Sequence, residues 1–152
     1  MSLIRFWFDG CCEPVNPGGH ASAGTHVEQD GVVLLSEGHY IGEGPEMSNN
    51  VAEYTAFLRG LEFLLARGLN GEPIFCQGDS NLVIQQVFGT WKIHQGLYVP
   101  LAMRAKQLAE QFPHITAKWI PREQNDICDR LSKQPLLDRG VTFRIQPVHA
   151  NR

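Results

Sequence analysis

The sequence predicts an α/β fold in which a five-stranded mixed sheet, three antiparallel strands followed by two parallel ones, is flanked by helices. Three observations lead there. The first third carries three strand-like runs in succession, which suggests an antiparallel meander. Apolar residues then recur at helical spacing between the later strand-like runs, so those strands are joined by helical crossovers. Glycine and proline break the chain between these segments. The element order βββ, α, β, α, α, β, α follows.

The first strand is expected at 3–9, where Ile4-Arg5-Phe6-Trp7-Phe8 leads into Asp9-Gly10, and Asp9 is read as the point where the strand runs out. Strands at about 21–28 and 32–41 are joined by a turn at Asp30-Gly31, a pair suited to a tight hairpin. The loop Gly42-Glu43-Gly44-Pro45-Glu46-Met47 precedes a helix in which Tyr54, Phe57, Leu58, Leu61, Leu64 and Leu65 share a face up to Gly68. Pro73 to Gln77 is again strand-like, and 80–88 is a short helix stopped by Gly89. Leu101, Ala105, Leu108 and Phe112 mark one face of a further helix that Pro113 ends. Thr116 to Ile120 alternates as a strand does, and Asn125 to Gln134 forms a last helix stopped by Pro135. Domain organisation is read as one catalytic domain over 1–135, with 136–152 a tail or an extra edge strand of the same domain built on Val141 to Ile145.

With 152 residues, 43% hydrophobic and 19% charged, the chain can bury a core of its own. No apolar run approaches the roughly 18 to 20 residues that a membrane helix needs, and the N-terminus lacks the pattern of a secretory signal. A soluble, cytoplasmic protein is expected. Cys11, Cys12, Cys76 and Cys128 show neither C-x-x-C spacing nor histidine partners, which argues against zinc and against a disulfide framework and fits a reducing compartment. The six histidines are scattered and read as structural or exposed. The net charge of −3 argues against broad, nonspecific nucleic-acid binding, although the cations concentrate in the second half and the anions of 28–46 in the first. Nothing fixes the oligomeric state; a monomer is the expectation.

Four acids carry the chemistry. Asp9 and Asp79 each end an apolar run, Glu53 follows Ser48-Asn49-Asn50 at the start of a helix, and Asp129 lies one turn into the last helix. Like charges brought together repel unless a cation neutralises them, and oxygen-rich sites select hard divalent ions, Mg²⁺ above all. Each acid taken singly also reads as a helix cap or a surface carboxylate. Asp126 competes with Asp129 for the fourth place and is read as structural.

Four motifs in order resemble the ribonuclease H family, type 1, over about residues 4–134. They are Asp9-Gly10 followed by Asn16-Pro17-Gly18-Gly19, then Ser48-Asn49-Asn50-Val51-Ala52-Glu53, then Asp79-Ser80, and last the run Arg122-Glu123-Gln124-Asn125-Asp126-Ile127-Cys128-Asp129-Arg130-Leu131. The resemblance implies the ribonuclease H-like fold and an endoribonuclease that cuts the RNA strand of RNA/DNA hybrids, leaving 5′-phosphate and 3′-hydroxyl ends. It further implies two Mg²⁺ ions, with Mn²⁺ as a substitute, held by Asp9, Glu53, Asp79 and Asp129, with Gly10 beside Asp9 in the metal site. Asp9 would bridge both ions, Glu53 and Asp79 would complete one, and Asp129 would hold the other. Two ions about 4 Å apart supply the nucleophile, charge relief and leaving-group stabilisation that phosphodiester hydrolysis needs.

For substrate contacts the resemblance points to Asn16, Asn49, Asn50 and Gln85, whose amides suit the 2′-hydroxyls of RNA, and to Trp91-Lys92 against the phosphates of the DNA strand. Their local alternatives are capping and turn formation for the asparagines and core packing for Trp91. The sequence departs from the family pattern in two places. Lys92 to Tyr98 is too short and too weakly charged to be the basic protrusion of many members, so hybrid affinity should be modest and sensitive to salt. The loop Pro121-Arg122-Glu123-Gln124 lacks the histidine that some members use as a proton shuttle; Arg122, through phosphate, or Glu123, through proton transfer or metal, stands as the replacement. No hybrid-binding module is expected before the first strand, and the start at Met1 is read as favouring a free-standing protein. The alternatives are a non-catalytic nucleic-acid-binding domain of the same fold, from which an acid would usually be missing, and another nuclease of the superfamily.

Overall fold

The computed structural model describes residues 2–144. Its elements run β1 (Ile4–Glu13), β2 (His20–Gln29), β3 (Val32–Glu43), α1 (Asn49–Ala66), β4 (Ile74–Gly78), α2 (Asn81–Val87), α3 (Val99–Ala109), β5 (Ile115–Trp119), a 3₁₀ turn (Arg122–Gln124) and α4 (Asp126–Asp138). The sheet order is β3-β2-β1-β4-β5, antiparallel on the β2 side of β1 and parallel on the β4 side. This is the five-stranded mixed sheet that the sequence predicts. Asp30 and Gly31 both have positive φ, 50° and 83°, the geometry of a two-residue hairpin turn.

One face of the sheet holds the main core. Ile4, Phe6 and Phe8 alternate inward from β1 and are fully buried. They pack on α1, where the Phe57 ring lies 5.8 Å from that of Phe6 and 5.4 Å from that of Phe8. On the opposite face α4 rests on β2 and β3 almost backbone to backbone. A Cβ at Gly24 would fall 2.5 Å from the Cys128 carbonyl oxygen, and one at Gly38 would fall 2.3 Å from that of Leu131. That close seat brings the first turn of α4 to the end of the sheet where Asp9 emerges.

Several expectations need correction. β1 does not run out at Asp9 but continues to Glu13, because β2 pairs with it as far as Glu13↔His20. What ends there is the parallel partner: the last β1–β4 pair is Phe8↔Gly78, so Asp9 is the first β1 residue with one open flank. Pro135 does not stop α4, which runs to Asp138. A proline at 135 removes the N–H that would bond Leu131, yet that carbonyl is seated against Gly38, with the Pro135 ring alongside, so the helix continues. α3 starts at Val99 and ends at Ala109, its buried positions being Ala102 and Ala105; Phe112 lies beyond it, buried after a turn. Of the strand-like piece expected at 141–145, residues 141–144 form no strand and Ile145 lies outside the described residues. Phe143 is buried, and Arg144 binds the Glu13 carboxylate at 2.7 Å. No helix among the described residues is long and apolar enough to cross a membrane.

Candidate active site

Three elements, β1, α1 and β4, bring acids to one point. Asp9 projects from β1 just past its last β4 partner, and Asp79 follows β4 directly. Ser80, next in sequence, caps α2 by accepting from the Val83 N–H, which turns the chain away and leaves Asp79 at the rim. Glu53 lies in α1, whose start is fixed by Ser48 accepting from the Val51 N–H at 3.1 Å. Glycine at position 10 lets α1 approach, because a Cβ there would lie 2.4 Å from the Glu53 nitrogen. Carboxylate oxygens of Asp9, Glu53 and Asp79 consequently lie within 4.8 Å of one another.

Asp9 and Glu53 are 5% and 6% exposed, and the Gly10 N–H donates to Asp9 Oδ1 at 2.9 Å. Burial pushes the Asp9 carboxyl well above the usual carboxylate range, and the charges of Asp79 and Asp129 push it further. Burial likewise raises Glu53, followed by the charges of Asp9 and Asp79. Glu53 Oε2 is buried without a hydrogen-bond partner among the described residues. A buried carboxylate with one orphaned oxygen, grouped with two further carboxylates, fits a hard divalent cation, which would relieve the repulsion.

Asp129, on the first turn of α4, is 9% exposed, and its charge raises Asp9. It lies outside the group within 4.8 Å. Lys133, one turn on, sits 3.0 Å from Asp129 Oδ1, and Arg122 approaches the same oxygen at 3.5 Å. Asp126 is half exposed and pairs with Arg130 at 3.1 Å.

The substrate candidates lie on the β1–β2 loop, the first turn of α1, α2 and the α2–α3 connection. Asn16 is exposed, and its Oδ1 accepts from the Asn49 N–H at 2.9 Å, so it ties the β1–β2 loop to the start of α1. Asn49 and Asn50 are half-buried in the first turn of α1, where the cap is Ser48. Gln85 is half-buried on α2 and lies over Gly89, where a Cβ would meet its Oε1 at 2.3 Å. Trp91 is 47% exposed, which argues against its alternative as a core residue, and Lys92 is exposed beside it. The connection between α2 and α3 contains no helix, so no basic protrusion is present there. Arg122 and Glu123 are exposed on the 3₁₀ turn, and Arg122 faces Asp129.

Sequence reasoning missed three residues. Asn125, 1% exposed, donates from Nδ2 to the Phe8 carbonyl at 2.9 Å and to Asp79 Oδ1 at 3.2 Å, bracing both central strands where their parallel pairing ends. Lys133 was visible only as one more cation, although its i, i+4 spacing from Asp129 is the available signal. Trp119, 47% exposed, donates from its indole to the Asp79 carbonyl at 3.2 Å; its place follows from the register Gly78↔Trp119, which sequence does not print.

A mixed sheet with acids gathered where the parallel pairing of its central strands ends defines a ribonuclease H-like protein. The profile of the family described as Reverse transcriptase-like matches residues 7–134. Ribonuclease HI of Halobacterium salinarum is 31% identical over 135 residues, which are 89% of this chain and 65% of that protein. Its solved structure, an RNase H1, superposes with a TM-score of 0.76 at 29% identity, covering 90% of this chain and 98% of the other. The bifunctional protein Rv2228c of Mycobacterium tuberculosis is 35% identical over 89 residues, 59% of this chain and 24% of that protein; this chain thus spans about a quarter of its length. The N-terminal RNase H domain of Rv2228c gives a TM-score of 0.77 at 30% identity, covering 87% of this chain and 97% of the domain structure. LC11-RNase H1, solved in complex with an RNA/DNA hybrid, gives 0.74 at 30% identity, covering 84% and 92% of the two chains. The chain belongs to the ribonuclease H family, type 1.

Proposed function

We propose that this protein is an endoribonuclease that hydrolyses the RNA strand of RNA/DNA hybrids with divalent metal ions, Mg²⁺ first among them, leaving 5′-phosphate and 3′-hydroxyl ends. The observation that carries the proposal is the group Asp9, Glu53 and Asp79, one oxygen of each lying within 4.8 Å of the others, while Glu53 Oε2 lacks a hydrogen-bond partner among the described residues. A related fold binds such a hybrid in LC11-RNase H1, which supports the substrate class.

In this reading Asp9, Glu53 and Asp79 would hold one ion, and Asp9 with Asp129 would hold a second. Bound metal supplies an activated water and neutralises charge on the phosphoryl oxygens. Asn125 keeps Asp79 aimed at the site through its 3.2 Å bond. Asn16 uses its carbonyl oxygen on Asn49, so its part in reading a 2′-hydroxyl falls to its amide nitrogen. Asn49, Asn50 and Gln85 supply further amides, and Trp91 with Lys92 meets the DNA strand. Arg122 takes a phosphate, and Glu123 is placed on the same turn to move a proton or meet a metal. The catalytic domain is residues 1–135 with the remainder of α4 continuing it.

The test is cleavage of a labelled RNA strand alone, in an RNA/RNA duplex and in an RNA/DNA hybrid, each with Mg²⁺, Mn²⁺ or EDTA. Metal-dependent cutting confined to the hybrid is the expected result. A folded sample that binds the hybrid and never cuts it would favour a binding domain instead.

A further inference from the structure

A buried hydrogen-bond network lies outside the acidic group, between α1, α2 and the start of α3. At its centre is Gln86, 1% exposed. Its Nε2 donates to the Lys92 carbonyl at 3.0 Å and to the Tyr98 hydroxyl at 3.2 Å, and its Oε1 accepts from the Tyr54 hydroxyl at 2.6 Å. The Lys92 carbonyl can only accept, which fixes which end of the amide faces it. Tyr54 and Tyr98 stack nearly parallel, 5.8 Å between centroids, and clamp the amide from either side of the sequence.

The connection from Phe88 to Tyr98 has no helix or strand to hold it. Two bonds hold Trp91-Lys92 to the end of α2: the Trp91 N–H donates to the Gln85 carbonyl at 3.2 Å, and the Lys92 carbonyl takes the Gln86 amide. With the backbone drawn inward at both points, the Trp91 and Lys92 side chains are left exposed. The same helices carry the acids. Tyr54 follows Glu53 on α1, and Gln86 lies on the helix whose cap, Ser80, follows Asp79.

We propose that Gln86 is a positioning residue for substrate: through the Lys92 carbonyl it sets the distance between the acidic site and the Trp91-Lys92 pair, so that cleavage centre and DNA-strand contact keep one spacing. The proposal rests on the hybrid-cleaving reading and deepens it. Gln86→Glu keeps the size and the Tyr54 bond but puts oxygen against the Lys92 carbonyl; Gln86→Leu removes both donors.

Steady-state cleavage of the hybrid tests it. Both variants should raise KM about tenfold, the scale of one lost hydrogen bond, while kcat stays within about twofold. In a Trp91→Ala/Lys92→Ala background the Gln86 substitution should add nothing further, because it acts only through that pair. A fall in kcat at unchanged KM, or an undiminished Gln86 effect in that background, would overturn the proposal. If neither Gln86 variant folds, Tyr98→Phe serves: it deletes one partner of the amide and keeps the ring, and should raise KM about two- to threefold, again only when Trp91 and Lys92 are present. A wild-type protein inactive on hybrids would refute the functional reading alone. In that event amide hydrogen exchange over 88–98 still decides the positioning role, which requires faster exchange in Gln86→Glu than in wild type and is refuted by equal rates.

Discussion

Asp9, Glu53 and Asp79 differ from Asp129 in how the fold tolerates a nearly buried negative charge. The first three crowd together at the junction of β1, α1 and β4, where burial and mutual repulsion drive Asp9 and Glu53 toward the protonated form and leave Glu53 Oε2 unpartnered. Asp129 arrives from α4 with cations of its own, Lys133 at 3.0 Å and Arg122 at 3.5 Å. One part of the site demands a cation from solvent, and the other already carries two. Metal affinity in the free protein should therefore reside in the three-carboxylate group, with Asp129 contributing once substrate and metal compete with its tethered partners.

The largest expected effect breaks the three-carboxylate side. Asp79→Asn is nearly isosteric, and its side-chain oxygen still accepts from Asn125, so the fold should persist while hybrid cleavage falls about a thousandfold. Because the substitution removes a repelling charge, the metal-free protein should melt higher, by about 3 °C for each kcal/mol relieved. Full activity, or a lower metal-free melting point, would remove the electrostatic account of this group. Asp129→Asn should cost less, about a hundredfold in cleavage, because its carboxylate acts beside the group rather than inside it. Equal losses for the two variants would erase the distinction.

A pH series sharpens the same contrast. A carboxyl whose folded pKa is raised binds its proton more tightly folded than unfolded, so it stabilises the fold at low pH. That stability is lost as pH rises above the ordinary values, 3.8 for Asp9 and 4.5 for Glu53, toward their raised folded values. Without metal, the melting temperature should therefore fall as pH rises above those ordinary values. Saturating Mg²⁺ should flatten the slope by taking the place of the protons. Glu13 works in the opposite sense: burial would raise it, but hydrogen bonds from Arg144 bring it below its ordinary 4.5, so its contribution is lost only on acidification through that lowered value. A metal-free melting temperature that rises across the neutral range would show that the acids are stabilised by something other than protons.

Much of this was legible in the sequence, for identifiable reasons. Apolar alternation in Ile4-Arg5-Phe6-Trp7-Phe8 and the helical spacing from Tyr54 to Leu65 gave β1 and α1, because each buries one face against the other. Glu53, Asp79 and Asp129 were visible since each lies just past the end of an element or on its first turns, and Asp9 since it follows the apolar run Ile4-Arg5-Phe6-Trp7-Phe8. Their convergence was not: it depends on the Phe8↔Gly78 register and on bare glycine at 10, 24 and 38 letting helices touch strands, which are tertiary facts. Pro135 misled for the same reason, its local penalty being offset where Leu131 seats on Gly38. The bracing roles of Asn125 and Trp119 were not legible because what they hold, the Phe8 carbonyl and Asp79, is distant in sequence.

The smallest effects belong to the cationic side. Lys133→Met leaves Asp129 with Arg122, more exposed and farther away, so the site becomes more negative by one charge at close range. The Mg²⁺ concentration that half-saturates cleavage should then fall, by about three- to fivefold, while the metal-free protein loses stability because a nearly buried carboxylate has lost its close partner. Asp126→Asn gives the zero point. Its 3.1 Å pair with Arg130 is half exposed on both sides, and such pairs contribute about 0 to 1 kcal/mol, so cleavage and Mg²⁺ dependence should match wild type. If Asp126→Asn shifted the Mg²⁺ titration as far as Lys133→Met, proximity to the acidic group would not be what sets metal affinity, and Asp126 would have to be counted beside Asp129.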